Sequence, residues 1–423
     1  MRARWFLIAA LCAVFTMGVA ACGDDDDDGG GGGGGTVSGK NLTVYSSLPL
    51  QGPTRPNSES VQNGAKLALQ ERGGKVGDYT VQYKTLDDAT PQAGKWDPGK
   101  TQQNARQAVQ DKTTIAYIGE FNSGASANSM PILNKAGILQ VSPSNTAIGL
   151  TSAEPKEALE AGEPDKYYPT GKRHYGRVVP KDNIQGAALA TDMKDAGCTK
   201  VFIANDKEVY GLGLAKATEA AAGANQLEVV ANEGYDAKAA NYRSLASKIK
   251  GTGADCFLGS IIVDNNGVQL FKDVAAGVDG IKLFGPDGVA ETTFTDPKEG
   301  GIPADVAERT RITVATLSPE EYPPEGKKFF EDYEKAYGED PEPYAIYGFE
   351  AMGVILDSIE RAGAKGNDRQ AVIDAFFQTK GRKSVLGTYD IDQNGDTSLT
   401  DYGAYTIKGG KLEFDKKIEA QGI

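Results

Sequence analysis

The stretch Cys198-Thr199-Lys200-Val201-Phe202-Ile203-Ala204 reads as a short apolar strand, and it opens the run that decides the fold. Behind it come a helical segment (210–223), a strand (227–232), a helix (239–250), a strand headed by Cys256-Phe257-Leu258-Gly259 (256–262), a helix (265–277) and a strand (281–284). Short apolar runs alternating with segments of helical period make repeated β-α-β units. Such units build parallel sheets covered by helices on both faces.

The same rhythm runs upstream. Strand 42–47 is followed by helix 58–72, with Val61, Ala65, Ala68 and Leu69 on one face. Strand 79–86, helix 97–111, strand 114–119, helix 125–136 and strand 138–142 follow. A polar, proline-containing insertion (152–173) then separates the two runs. Helix 182–196 opens with Asp182 and Gln185 at the spacing of a capping box. The residues beyond 40 exceed what one core usually organises. The expectation is an α/β protein of two doubly wound, Rossmann-like lobes. In such sheets ligands bind beyond the carboxyl ends of the strands, here in a cleft between lobes.

At the amino terminus Arg2 and Arg4 precede an apolar stretch from Trp5 to Val19, and Val19-Ala20-Ala21-Cys22 closes it. The core is too short for a confident membrane span. This segment (1–21) resembles a bacterial lipoprotein signal peptide, which implies that Cys22 becomes the lipid-bearing first residue of the mature chain. An ordinary secretory signal with an incidental cysteine is the plainer alternative. Aspartates at 24–28 and glycines at 29–35 cannot bury apolar surface, so residues 22–40 are expected to form a disordered tether. The protein is then extracytoplasmic, on the outer face of the cell membrane or in the periplasm, and touches the membrane only through its lipid.

A formal net charge of −13 argues against nucleic acid as a partner. With Cys12 in the leader and Cys22 lipidated, Cys198 and Cys256 remain. If their strands are neighbours in one parallel sheet, both lie at the same end and can form a disulfide. The alternative is two separate buried thiols. His174 is the only histidine and lies by the insertion, so His-based triads and multi-histidine metal sites find no support. No catalytic residue, metal or cofactor is expected.

Over residues 41–414 the chain resembles the type I periplasmic solute-binding proteins of the leucine/isoleucine/valine-binding group, which serve ABC importers. The markers are Leu48-Pro49-Leu50-Gln51-Gly52-Pro53, Asn63-Gly64-Ala65, Asp87-Asp88-Ala89, Asn122-Ser123-Gly124-Ala125-Ser126, Ser142-Pro143-Ser144-Asn145-Thr146, Tyr210-Gly211, Gly285-Pro286-Asp287-Gly288 and Pro343-Tyr344-Ala345-Ile346-Tyr347. The resemblance implies lobe 1 at 41–179 plus 316–400 and lobe 2 at 180–315 plus 401–423. A three-stranded hinge would cross near Val179, Ala315 and Thr400.

It also implies a site. Asn122 and Ser123 start a helix, whose free N–H groups and dipole favour the ligand carboxylate. Ser144, Asn145 and Thr146 form a second grip. Asp287 stands where the family places a glutamate for the ligand ammonium, and Tyr210 reaches the cleft from lobe 2. Tyr344 and Tyr347 are candidate walls, Tyr347 being the one assigned to the ligand. Helix capping, a Pro-Asp-Gly turn and core packing are the plainer roles for these residues.

The implied function is capture of a small polar solute by a monomeric receptor. By default the solute is an amino acid of branched-chain type, delivered to ABC permease subunits. A sensory receptor of the same fold is the alternative. The family glutamate is shortened to Asp287, and Thr54-Arg55-Pro56-Asn57 lacks a covering aromatic, so other amino acids, amides and small aromatic acids stay open.

Two motifs mislead. Gly94-Lys95-Trp96-Asp97-Pro98-Gly99-Lys100-Thr101 matches the P-loop pattern. A phosphate cradle needs successive backbone donors after a strand, whereas Pro98 removes one and Asp97 adds negative charge. A loop before a capped helix is expected instead. Asp390-Ile391-Asp392-Gln393-Asn394-Gly395-Asp396, ending at Asp401, imitates a calcium loop but is expected to be an Asn-Gly turn.

Overall fold

Leu42 to Leu48 are all buried, which marks β1 (Asn41–Leu48) as the centre of a sheet with both faces covered. The computed structural model describes residues 35–156 and 159–422. The expected leader, Cys22 and the aspartate run lie outside the described residues. The first sheet runs β2 (Lys75–Val76), β3 (Tyr79–Asp87), β1, β6 (Thr114–Gly119), β7 (Leu139–Ser142), β8 (Tyr175–Arg177), with all but β2 parallel. A small hairpin of β4 (Ala89–Thr90) and β5 (Lys95–Trp96) follows β3.

The second sheet runs β10 (Glu228–Gly234), β9 (Lys200–Asn205), β11 (Cys256–Ser260), β12 (Lys282–Gly285), β13 (Thr310–Val314), β16 (Tyr402–Lys408), β17 (Lys411–Ile418). Its first five strands are parallel, and β16 and β17 turn antiparallel. The hairpin of β14 (Arg382–Ser384) and β15 (Gly387–Tyr389) lies apart. The chain passes between the two sheets after β8, after β13 and before β16.

Helices α1 (Arg55–Glu71), α2 (Pro98–Gln110), α3 (Ser123–Ala136), α4 (Asp182–Asp195) and α5 (Val209–Ala222) fill the β-α-β crossovers and hinge entries nearest the cleft. Helix α1 crosses helix Ala345–Ala362 at glycines on both sides. A Cβ on Gly64 would stand 2.1 Å from the Ala345 carbonyl oxygen, and one on Gly348 would stand 2.2 Å from that of Val61. Only glycine permits that approach. Strands β9 and β11 are neighbours, and Cys198 and Cys256 are joined by a disulfide with Cα atoms 5.8 Å apart.

Several expectations change. The tether does not extend to Lys40: Val37 is buried, and its N–H bonds the Asn367 carbonyl at 2.7 Å. Asp182 and Gln185 do not form a capping box, because Lys181 holds the N-cap position and neither side chain turns back to the helix end. His174 is buried rather than loosely held, with Nδ1 2.9 Å from Asn134 Nδ2, and burial pushes its pKa down to about 3.

The P-loop look-alike is a capped helix start, as Asp97 Oδ1 accepts from Lys100 N–H at 2.9 Å. In the calcium look-alike, Asp396 turns inward to the fully buried Arg177, with Nε to Oδ1 at 2.9 Å, and to Lys181. Burial would raise the Asp396 carboxyl, but Arg177 and Lys181 hold it below its ordinary range.

Candidate ligand-binding site

The loop between β6 and α3 is fixed from behind. Ser144 Oγ and Asn145 Nδ2 donate to the Phe121 carbonyl at 2.8 and 2.7 Å, and Ser142 Oγ donates to that of Glu120 at 2.9 Å. With its carbonyls held, the loop delivers Asn122 at the N-cap of α3 and Ser123 at the first helical position. The first-turn N–H groups and the helix dipole make this end attractive to an anion. Ser123 Oγ accepts from Ala147 N–H at 3.4 Å, which leaves its own hydrogen free to point outward.

Asp287 follows β12 and faces this loop from the second sheet. Three neutral donors hold its carboxylate: the hydroxyls of Tyr210 and Tyr344, and Gln185 Nε2 at 2.7 Å. Burial pushes the Asp287 carboxyl up, while the Tyr210, Tyr344 and Gln185 donors pull it back. Tyr210 lies in the first turn of α5, and its oxygen also accepts from Gly288 N–H at 3.3 Å.

Between these two ends lies a cavity of about 30 Å³ lined by Phe121, Asn122, Ser123 and Ser144 from the first sheet's loops, and by Tyr210, Ile262, Asp287 and Gly288 from the second's, with Tyr344 closing one side. Phe121 meets Tyr344 edge-on at 5.8 Å. The space is smaller than an amino acid, so the walls must part to admit one.

Five of the expected residues, Asn122, Ser123, Ser144, Tyr210 and Asp287, therefore share one cavity. Three do not line it. Asn145 props the loop and accepts from Tyr175 Oη at 3.0 Å. Thr146 is buried beside Asp182. Tyr347 sits behind Tyr344, its hydroxyl bonding the Ala315 carbonyl at 2.8 Å. Residues 344 and 347 are one helical turn apart, and only the first clears the helix end to reach Asp287. Phe121 and Ile262 carried no sequence signal beyond following a strand.

The cleft is also bridged from side to side. Lys95 Nζ, on the β4–β5 hairpin, lies 2.6 Å from Glu208 Oε1 and 2.6 Å from Asn265 Oδ1. Thr54 bonds Asp264, Thr293 Oγ1 bonds the Pro53 carbonyl at 2.8 Å, and Lys216 reaches Glu160 of the insertion at 3.0 Å. Burial pushes the Asp264 carboxyl up to about 6 against the pull of Thr54. Trp96 packs in one apolar cluster with Tyr210 and Ile262, covering the start of α3 at Gly124.

A family profile described as periplasmic binding protein matches residues 46–411. The Leu/Ile/Val-binding protein BraC3 of Rhizobium johnstonii is 26% identical over 381 residues, covering 88% of this chain and 93% of that protein. The leucine-binding protein LivK of Thermotoga maritima superposes with a TM-score of 0.74 at 21% identity, over 89% of this chain and 98% of that one. An ABC-transporter solute-binding protein of R. palustris, solved in complex with benzoate, gives 0.72 at 20% identity, over 90% and 96%. With two sheets, three crossings and a cleft where their strands end, this chain belongs to the periplasmic binding protein family, as a two-lobed type I member of the leucine/isoleucine/valine-binding group.

Proposed function

We propose that this chain is an extracytoplasmic receptor that captures an amino acid by closing its cleft and delivers it to an ABC importer. The observation that carries the reading is the polarity of the cavity. A helix N-terminus with the Ser123 hydroxyl stands at one end, and the Asp287 carboxylate stands at the other. Those ends suit the carboxylate and the ammonium of one zwitterion. Lobe 1 is residues 41–179 plus 316–400, and lobe 2 is 180–315 plus 401–423. Asp287 and Tyr210 on lobe 2 meet a solute held by Ser123 only when the cleft shuts, so binding favours the closed form. Apolar Phe121 and Ile262 support a branched-chain solute as the default. A bare aromatic acid such as benzoate would leave the buried Asp287 without a cation, which disfavours it. The chain is anchored through Cys22 and acts as a monomer.

A thermal-shift screen across amino acids, aromatic acids and amides tests the reading. A true ligand at 100 times its dissociation constant adds about 2.7 kcal/mol. A gain with an aromatic acid and none with any amino acid would sink it.

A further inference from the structure

Asp182 and Gln185 stand three residues apart on the first turn of α4 and so share one face of that helix. Both are fully buried. Among the described residues neither oxygen of Asp182 has a hydrogen-bond partner, nor does Gln185 Oε1, nor the hydroxyl of the buried Thr146 beside Asp182. Gln185 touches Asp287 directly, and the Asp182 and Asp287 charges act on each other. Unpartnered polar atoms, among them the Thr146 hydroxyl that acts on Asp182, are therefore gathered against the one carboxylate that lines the cavity. A buried polar group left this way is costly, and an ionised one more so.

Apart from Thr146, the donors nearby are already engaged. The Gln185 amide and the hydroxyls of Tyr210 and Tyr344 are on Asp287. Arg177 donates to Asp396, to the Asn145 carbonyl and to Thr151. Among the described residues no lysine or arginine lines the cavity, while Glu291, a third buried carboxyl with its Oε2 unpartnered, feels the charges of Asp264 and Glu342 and, less, that of Asp287. A zwitterion with an apolar side chain offers these buried polar atoms no donor. A branched aliphatic side chain would lay methyl groups on the unpartnered acceptors. An ammonium brings three donors, a guanidinium five, and either brings the missing charge.

Building on the reading of this cavity as an amino-acid site, we infer that the solute is a basic amino acid whose α-ammonium meets Asp287 and whose side-chain ammonium or guanidinium enters between Asp182, Gln185 and Thr146. Tyr210 and Tyr344 move off Asp287 to admit it, and the carboxylate of the same solute stays at Ser123. Burial, and then the charge of Asp287, push the Asp182 carboxyl well above its ordinary range. The Thr146 hydroxyl and the Arg177 charge pull it back, and an arriving cation would pull it further in the same direction.

Isothermal titration of the full mature protein with L-arginine, L-lysine, L-leucine and benzoate tests this, in two buffers of different ionisation enthalpy. The expected result is that arginine or lysine binds at least tenfold tighter than leucine and releases protons on binding. Asp182→Asn should then lose at least tenfold for the basic solute, narrow its advantage over leucine, and reduce the proton release. The preference between arginine and lysine separates guanidinium from ammonium. The wild-type comparison stands even if the variant folds poorly. Leucine binding as tightly as both basic amino acids, with no proton release, would overturn this inference and leave the amino-acid reading intact. Benzoate binding alone, or no binding by any of the four, would overturn both.

Discussion

Lys95 spans the cleft, its Nζ 2.6 Å from Glu208 Oε1 in a partly buried ion pair. Lys95 belongs to a hairpin after β3 and Glu208 to the turn before α5, so the contact exists only while the two halves touch. The same lysine sits inside the P-loop look-alike, where its value to the protein is a cross-cleft contact and not a phosphate.

Removing that contact should favour the open form. Lys95→Ala removes the ammonium from Glu208 and Asn265, leaving Glu208 with the Asn265 amide at 3.2 Å, and is expected to cost about 1–2 kcal/mol of closure. Solute affinity should fall about 5–30-fold, with little change in the unfolding temperature without solute. Calorimetric titration alongside a melting curve checks both halves of this statement.

Ser123 and Asp287 hold opposite ends of the proposed solute. Ser123→Ala removes one hydroxyl donor and is expected to weaken binding by about 1–2 kcal/mol. Asp287→Ala removes the facing charge, strands the Tyr210 and Tyr344 hydroxyls, and is expected to cost about 3 kcal/mol or more. Thermal shift at a fixed solute concentration reads both. Full retention in both variants would move the site elsewhere.

The Cys198–Cys256 bond closes a loop of 58 residues. Loop-closure entropy alone makes such a link worth about 4 kcal/mol, and a Cys198→Ser/Cys256→Ser protein should melt accordingly lower. Thiol titration of the unfolded, unreduced chain should find neither of these two cysteines free.

Asp88 and Glu120 are a buried carboxyl pair at the carboxyl end of the first sheet, with Tyr117 donating to Glu120 Oε1 at 2.9 Å. Burial pushes both upward, and the charges of Glu120, Asp87 and Asp264 push Asp88 further. The folded protein therefore holds protons here that the unfolded chain has released. Stability from this pair is present in full below the ordinary carboxylate range and is lost as pH rises through the raised values. Asp88→Asn should stabilise the protein at pH 8 by roughly 1–2 kcal/mol, with the gain fading towards pH 4. Denaturant melts of both proteins across that range give the comparison.

Much of this was legible in residues 198–284, because buried parallel strands leave continuous apolar runs that mark a doubly wound sheet. Ser123 and Asp287 were legible through motif order, since each sits where a strand ends. Tyr344 rather than Tyr347 lines the cavity, because Tyr344 stands at the start of helix Ala345–Ala362 and reaches Asp287, a placement that sequence spacing does not report. The Asp182 and Gln185 spacing suited a cap equally well, and only tertiary packing turns Gln185 onto Asp287. Lys95 and Glu208 are far apart in sequence, and no local pattern reports a contact that forms across a cleft.

The most direct test of the account is small-angle X-ray scattering of the mature protein with and without the solute that gives the largest thermal shift. The account expects the radius of gyration to fall on addition of solute, with Asp287→Ala failing to contract at the same concentration. Identical curves with and without a solute that demonstrably binds would contradict capture by closure of this cleft.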